Sequence, residues 1–193
     1  KASEVDIIFL VLLLASPELI ADMIRWTSES GKTTREESGD IISETFDEVE
    51  VKSGGGNKKF KQKDVVSISY SNQHPQMTEG QKHEDQSNYS KAVDAYRKAL
   101  GDAKLKSVFK QHIMFRIAWC IQASKKYDEA IAEYDKLLKE IPNTKYLYEA
   151  YLNKSKCALG KTDTKLALDI LEQGKTHIKS VGMEDKFIYE LDL

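Results

Sequence analysis

The chain has 193 residues, of which 40% are hydrophobic and 31% charged, and its formal net charge is −2. This mixture is ordinary for a globular protein, and the length suits one domain or two. The slight acidic excess argues against a general nucleic-acid binder, which would normally carry an excess of basic residues.

The first 21 residues differ in character from the rest. Residues 7–15 form an unbroken apolar run, which is too short to span a bilayer but has the length of a signal-peptide core. We therefore predict a signal peptide over residues 1–21 that is cleaved after Ala21, which places the mature protein in the periplasm or cell envelope of a bacterium. Glu4 and Asp6 depart from the signal-peptide pattern, so a buried amphipathic helix and a membrane anchor remain alternatives.

Residues 22–71 contain short segments rich in β-branched and aromatic residues, separated by turn-forming glycine, aspartate and asparagine. Five consecutive short strands predict a small β module. It would be a meander or a barrel of the SH3-like or Sm-like kind, since closure removes exposed strand edges. The predicted strands are residues 23–27, 40–45, 48–52, 58–62 and 65–70.

The charges of this module are segregated, with seven acidic residues inside residues 36–50 and a group of lysines after them. One interpretation is a basic edge that binds RNA or phospholipid headgroups, and the other is pairing of opposite charges across neighbouring strands. We favour pairing, because aromatic side chains that could stack on the bases of a single-stranded nucleic acid are sparse near the lysines. The lysines are Lys52, Lys58, Lys59, Lys61 and Lys63.

The helical half of the chain repeats one spacing of aromatic and small residues. Residues three, four and seven apart share a helix face, so each copy places a small residue between two aromatic rings. A small residue at this position lets a second helix approach closely. The first copy is Tyr89, Ala92, Tyr96 and Ala99, and the second is Tyr127, Ala130, Tyr134 and Leu137.

This spacing, with Pro142 at the end of the second copy, resembles the second helix of a tetratricopeptide repeat. A third copy places Ala167 and Leu171 in the same register. The alanines at 92, 130 and 167 are separated by 38 and 37 residues, against about 34 in the family. Twelve residues before each alanine lies a small residue, where the family's first helix makes its close contact. These residues are Gly80, Ala118 and Ser155.

The resemblance implies about three repeats over residues 77–181, stacked as an α–α superhelix, with the extra length in longer first helices or longer connections. Residues 72–87 are a polar linker that merges into the first repeat helix. Residues 39–52, a glycine turn and residues 60–68 resemble the small β modules that precede such arrays in some exported bacterial proteins. The expected fold is therefore α+β in two domains.

The last segment, residues 182–193, follows the final predicted helix. Its apolar side chains could cap the exposed apolar face of the last repeat, a role that terminal elements fill in solenoids, or they could anchor a partner. They are Phe187, Ile188, Leu191 and Leu193.

In such arrays the first helices line a concave groove that is generally used for recognition. Their positions in the repeats place Arg116, Asn153 and Lys156 in this groove. All three offer hydrogen-bond donors, which suits an acidic peptide or a C-terminal carboxylate. The family's chaperone-binding clamp needs a lysine and asparagine pattern from which Thr78 departs, so a chaperone tail is not the expected partner. The predicted groove residues are His112, Arg116, Trp119, Glu149, Asn153 and Lys156.

Cys120 and Cys157 occupy equivalent repeat positions, ten residues before their alanines. Equivalent positions on neighbouring parallel helices lie about 8–10 Å apart, beyond the reach of a disulfide. We predict two buried thiols, although an exported protein could also oxidise them.

No catalytic, metal-binding or cofactor-binding residue is predicted. A metal site needs three or four convergent ligands, and no histidine has a histidine or cysteine partner at ligand spacing. The leading hypothesis is a non-enzymatic interaction or scaffold protein of the cell envelope that binds a protein or peptide in the groove. The alternative is a nucleic-acid-binding protein that uses an Sm-like barrel, with assembly through the repeats.

Overall fold

The computed structural model describes residues 21–27 and 33–182. It shows an α+β protein in which a five-stranded antiparallel sheet precedes six α-helices. Residues 1–20 of the predicted signal peptide and residues 183–193 of the predicted capping segment lie outside the described residues. In the described part of the chain, no helix combines the length and the apolar character that a membrane crossing needs.

All five predicted strands are present, but β2 is much longer than expected. It begins at Thr34 rather than Asp40, because residues 34–39 pair with β1 even though they are polar. Thr27 lies opposite Thr34 in this pairing. The strands are β1 (Asp22–Thr27), β2 (Thr34–Glu44), β3 (Glu48–Ser53), β4 (Gly56–Lys61) and β5 (Val65–Ser69).

The strand order β4-β3-β2-β1-β5 is not a simple meander, since β5 crosses back to pair with β1. β4 and β5 are the edges of the sheet and do not pair with each other, so the predicted closed barrel is wrong. The sheet is curled: β2 has a register shift between Ile41 and Ser43. The rings of Trp26 on β1 and Phe60 on β4 have centroids 4.5 Å apart. The buried apolar side chains of the sheet are Ile24, Ile41, Val49 and Val51.

The helices form three pairs, and one residue in the turn of each pair has a left-handed backbone: Ser87 (φ 57°), Lys125 (φ 61°) and Thr162 (φ 63°). The turns at 87, 125 and 162 recur at intervals of 38 and 37 residues, as the repeat alanines do. The backbone therefore supports the tetratricopeptide-like repeat independently of the side chains. The extra length lies in the connections 101–106 and 141–146. The helices are α1 (Pro75–Asp85), α2 (Tyr89–Leu100), α3 (Ser107–Ala123), α4 (Tyr127–Glu140), α5 (Leu147–Gly160) and α6 (Thr164–Ser180).

The predicted close contacts between paired helices are confirmed. Ala92 and Ala130 are fully buried, and Ala167 is 3% exposed. Gly80 on α1 lies against Tyr96 on α2, and a Cβ atom added at Gly80 would lie 2.5 Å from a ring carbon of Tyr96. The absence of a side chain at Gly80 thus permits the close approach of these two helices.

The two cysteines are free and fully buried, as predicted. Burial raises the pKa of the Cys120 and Cys157 thiols to about 11. Because the thiolate is the reactive form of cysteine, these side chains act in packing.

Two buried carboxylates join the sheet to the helices, and the first is Asp22, which has no solvent exposure. Its carboxylate accepts hydrogen bonds from the backbone N–H of Ile41 (3.1 Å) and from the backbone N–H and hydroxyl of Ser71 (2.7 and 2.9 Å). The ammonium group of Lys106, which precedes α3, lies 3.3 Å from the same carboxylate and 3.1 Å from that of Asp40. Asp22 therefore connects β1, β2, the end of β5 and the start of α3.

The second carboxylate is Glu44, at the end of β2, whose side chain is 1% exposed. It accepts hydrogen bonds from the Tyr70 hydroxyl (2.5 Å) and the Lys145 ammonium group (2.9 Å). Gln111 on α3 donates to the backbone carbonyl of Glu44 (2.7 Å) and accepts from the Thr144 hydroxyl (2.8 Å). Burial and the charge of Glu44 raise the pKa of Tyr70 well above its usual range. The sheet is thus fixed to α3 and to the α4–α5 connection.

We expect Asp22→Ala to lower the free energy of unfolding by about 3–5 kcal/mol, because it removes a buried charge partner and leaves donors of Ile41 and Ser71 without an acceptor. Urea denaturation measures this loss. Arg25→Ala is the control on the same strand: Arg25 and Glu36 are 48% and 49% exposed, and an exposed pair contributes under about 1 kcal/mol. Equal losses in the two variants would contradict the importance of the buried carboxylate.

Candidate binding groove

The first helix of each pair (α1, α3 and α5) has one face that is less buried than the rest. On α5 the opposite side, with Ala150, Ser155 and Cys157, packs against neighbouring helices. Residues three, four and seven apart lie on the same side of a helix, so the less buried residues form one continuous strip. We call this strip the α5 stripe; it consists of Glu149, Leu152, Asn153, Lys156 and Leu159.

The matching face of α3 is half-buried and carries the other three predicted groove residues, His112, Arg116 and Trp119. On α1 the matching residues Thr78 and Gln81 are exposed. We call the α3 face the floor of the predicted groove and the faces of α1 and α5 its walls. The six predicted residues lie on the α3 face or on the α5 stripe.

The donors of Arg116 are engaged within the chain. Its guanidinium group pairs with the carboxylate of Glu84 on α1, and Nε lies 3.0 Å from Oε2. The Glu84 side chain is 4% exposed and also accepts a hydrogen bond of 3.0 Å from the Tyr96 hydroxyl on α2. Arg116 thus links three helices, and its charge is compensated without a ligand.

His112 is also part of the framework. Its Nδ1 lies 2.6 Å from the hydroxyl of Tyr146, in the α4–α5 connection, and the Tyr146 ring stacks on Phe115 with centroids 4.4 Å apart. Burial, together with the charge of Lys145, lowers the pKa of His112 to about 4. The imidazole is therefore neutral at neutral pH and holds α3 to the neighbouring connection.

Trp119 completes the floor of the groove. Its ring meets that of Tyr89 on α2 edge-to-face, with centroids 5.8 Å apart. The Arg116 guanidinium carbon lies 4.7 Å from the ring centroid of Trp119, within the range of a cation–π contact. The half-buried Trp119 ring is thus held from two sides.

The three predicted residues of α5 behave differently from those of α3. Within residues 21–27 and 33–182, Glu149, Asn153 and Lys156 form no ion pair and no side-chain hydrogen bond with another residue. Desolvation by the surrounding protein raises the pKa of Glu149 even though its side chain is accessible.

Two lysines of the β module pair with carboxylates across the sheet. Lys58 lies 2.7 Å from Glu37 and Lys59 lies 2.5 Å from Glu48. The hydrogen bond from Lys58 is the main cause of a lowered pKa at Glu37. These contacts support the interpretation that the charges pair across strands, rather than the interpretation that the lysines form a basic edge for an anionic ligand.

No group of three or more histidine, cysteine, aspartate or glutamate residues is placed to hold a metal ion in the described ranges. Each histidine instead contacts a neighbouring side chain of the chain. The pairs are His74 with Asp102, His83 with Glu79, His112 with Tyr146 and His177 with Tyr151.

Sequence reasoning missed the residues that immobilise the groove floor, above all Glu84 and Tyr146. The available signal for Glu84 was weak: it lies seven residues after Met77, on the buried face of a mostly polar helix. A carboxylate on a buried face requires a cation nearby, but the sequence does not say which one. Tyr146 lies in a connection outside the helical periodicity, so no pattern indicated its contact with His112.

A scan against protein-family models and a search of curated proteins found no match. Among solved structures, the chain is similar to the TPR domain of Sgt2 from Aspergillus fumigatus, with 19% identity and a TM-score of 0.44 over 61% of this chain and 74% of that one. It is also similar to SycD, the type III secretion translocator chaperone of Yersinia enterocolitica, with 14% identity and a TM-score of 0.42 over 61% of this chain and 89% of that one. The tetratricopeptide-like architecture described above is read from the repeated turns and buried small residues of the chain itself.

We expect Arg116→Ala to lower the free energy of unfolding by about 3 kcal/mol, because the carboxylate of Glu84 would stay buried without its cation. Lys156→Ala is the matched control, since it removes an exposed cation from the same groove and should change stability by less than about 0.5 kcal/mol. Chemical denaturation of the two variants gives the comparison. A nearly neutral Arg116→Ala would show that Arg116 does not belong to the framework.

Proposed function

We propose that this protein is a non-enzymatic interaction or scaffold protein that binds a segment of a partner protein in the groove formed by α1, α3 and α5. The observation that carries the proposal is the contrast between the floor and the α5 wall. The polar groups of the floor are compensated inside the chain, whereas Glu149, Asn153 and Lys156 have no ion-pair or side-chain hydrogen-bond partner among the described residues. Accessible polar groups on a fixed surface are available to a ligand.

The bonds of the floor support this function by holding the groove in one shape. Arg116 is fixed by Glu84, and His112 is fixed by Tyr146. A preorganised surface loses less conformational entropy when it binds, which leaves more of the contact energy as affinity. On the wall, the ammonium group of Lys156 and the amide of Asn153 suit a carboxylate, either an acidic side chain or a chain terminus.

We further propose that the protein acts in the bacterial cell envelope after export. The support is the apolar run at residues 7–15, which has the length of a signal-peptide core. The amino-terminal sequence of the mature protein from its native source tests this proposal. A mature chain that starts at Asp22 is the expected result, and retention of residues 1–21 would contradict export.

The nucleic-acid alternative has less support. Lys58 and Lys59 are paired with carboxylates. A nucleic-acid phosphate would have to displace these carboxylates before it could bind the lysines. The five strands also form an open sheet rather than a closed Sm-like barrel. Protein binding in the groove therefore remains the leading hypothesis.

Site-specific photocross-linking in the native cell tests binding in the groove. A photoreactive benzoylphenylalanine in place of Leu152 on the α5 stripe should give a discrete product with a partner protein. The same residue in place of Leu168 is the matched control, because Leu168 is 60% exposed but lies on the second helix α6. Identical products from both positions, or none from Leu152, would contradict a binding role for the groove.

A further inference from the structure

The α5 stripe carries two opposite charges at a fixed separation. Glu149 and Lys156 are seven residues apart, which is about 10 Å along a helix and too far for a direct ion pair. Asn153 lies between them, and Leu159, which is 51% exposed, follows Lys156 on the same face. The wall therefore presents a negative charge, an amide, a positive charge and an apolar side chain in that order.

Two other lysines lie near Glu149 in the sequence, and each is paired with a different carboxylate. Lys145, close to Glu149 in the chain, binds the buried carboxylate of Glu44 at 2.9 Å. Lys154, on the other side of α5, is paired with Asp135 at 2.5 Å. Both ammonium groups therefore bind a carboxylate other than that of Glu149, although the charge of Lys145 still acts on Glu149.

We infer that the groove distinguishes the direction of its partner, an extended protein segment that places a cation at Glu149, a carboxylate at Lys156 and an apolar side chain at Leu159. This inference rests on the proposed function and specifies the partner of the same site. An extended chain in the polyproline II conformation advances about 3.1 Å per residue and has three residues per turn, so a cation and a carboxylate about three residues apart lie on the same side of the segment. Charges arranged in this way fix the register of a bound segment and reject the reversed arrangement, which would bring like charges together.

Two fluorescein-labelled peptides of identical composition test the inference. Gly-Lys-Ala-Ser-Glu-Leu-Gly can meet all three positions of the stripe. Gly-Glu-Ala-Ser-Lys-Leu-Gly cannot, because pairing both of its charges places its leucine beyond Glu149 instead of at Leu159. In fluorescence anisotropy titrations of the full chain, we expect the first peptide to bind at least about fivefold more tightly, because the second peptide loses its leucine contact in one direction and its charge pairing in the other.

A charge exchange in the protein supplies the decisive comparison. The double variant Glu149→Lys with Lys156→Glu should reduce or reverse the preference between the two peptides, and both sites are accessible, so the fold should survive. Lys165→Glu on α6 changes the charge of an exposed lysine outside the groove and should leave the preference as in the unmodified chain.

Equal affinity for both peptides, no detectable binding of either, or a preference that the charge exchange leaves unchanged would overturn the inference. These outcomes would not by themselves contradict the proposed function, which the cross-linking experiment tests. Cross-linking from position 152 would still capture a partner if the groove binds proteins without reading their charge order, and it would fail if the groove binds none.

Discussion

The structure depends on carboxylates that cannot reach water. Asp22 and Glu44 are buried at the base of the sheet, and their partners come from β2, from the end of β5, from the residue before α3 and from the α4–α5 connection. A buried carboxylate without such partners would cost several kcal/mol. The sheet can therefore keep these residues only while the helices are in place, and the two parts of the chain stabilise each other.

This junction also fixes the position of the groove. Gln111 binds the carbonyl of Glu44 on one side and Thr144 on the other, so the first turns of α3 are held between the sheet and the α4–α5 connection. The later turns of the same helix carry Arg116, which continues the network to α1 through Glu84. Helix α3 thus connects two groups of polar contacts, one with the sheet and the α4–α5 connection and one with α1.

The features that the sequence could predict are those that depend on local periodicity. The spacing of Ala92 and Ala130 identified the repeat, because a buried helix face recurs every three or four residues wherever its partner lies. The return of β5 to β1 and the pairing of Arg116 with Glu84 depend on contacts between distant parts of the chain, and no local pattern encodes them. The left-handed turns at Ser87 and Lys125 were missed for another reason, since neither residue is the glycine that usually marks such a backbone.

The same distinction explains why we propose binding on α5 rather than on α3. A central helix of a repeat array has first helices on both sides, so its polar side chains find partners within the protein, as Arg116 and His112 do. Among the described residues, α5 has such a neighbour on one side only, and Glu149 and Lys156 stay accessible. The positions of the six groove residues in the repeats, taken alone, do not distinguish the residues of α3 from those of α5. Their partners divide them into a framework, where we expect substitution to cost stability, and a wall, to which we assign the proposed binding.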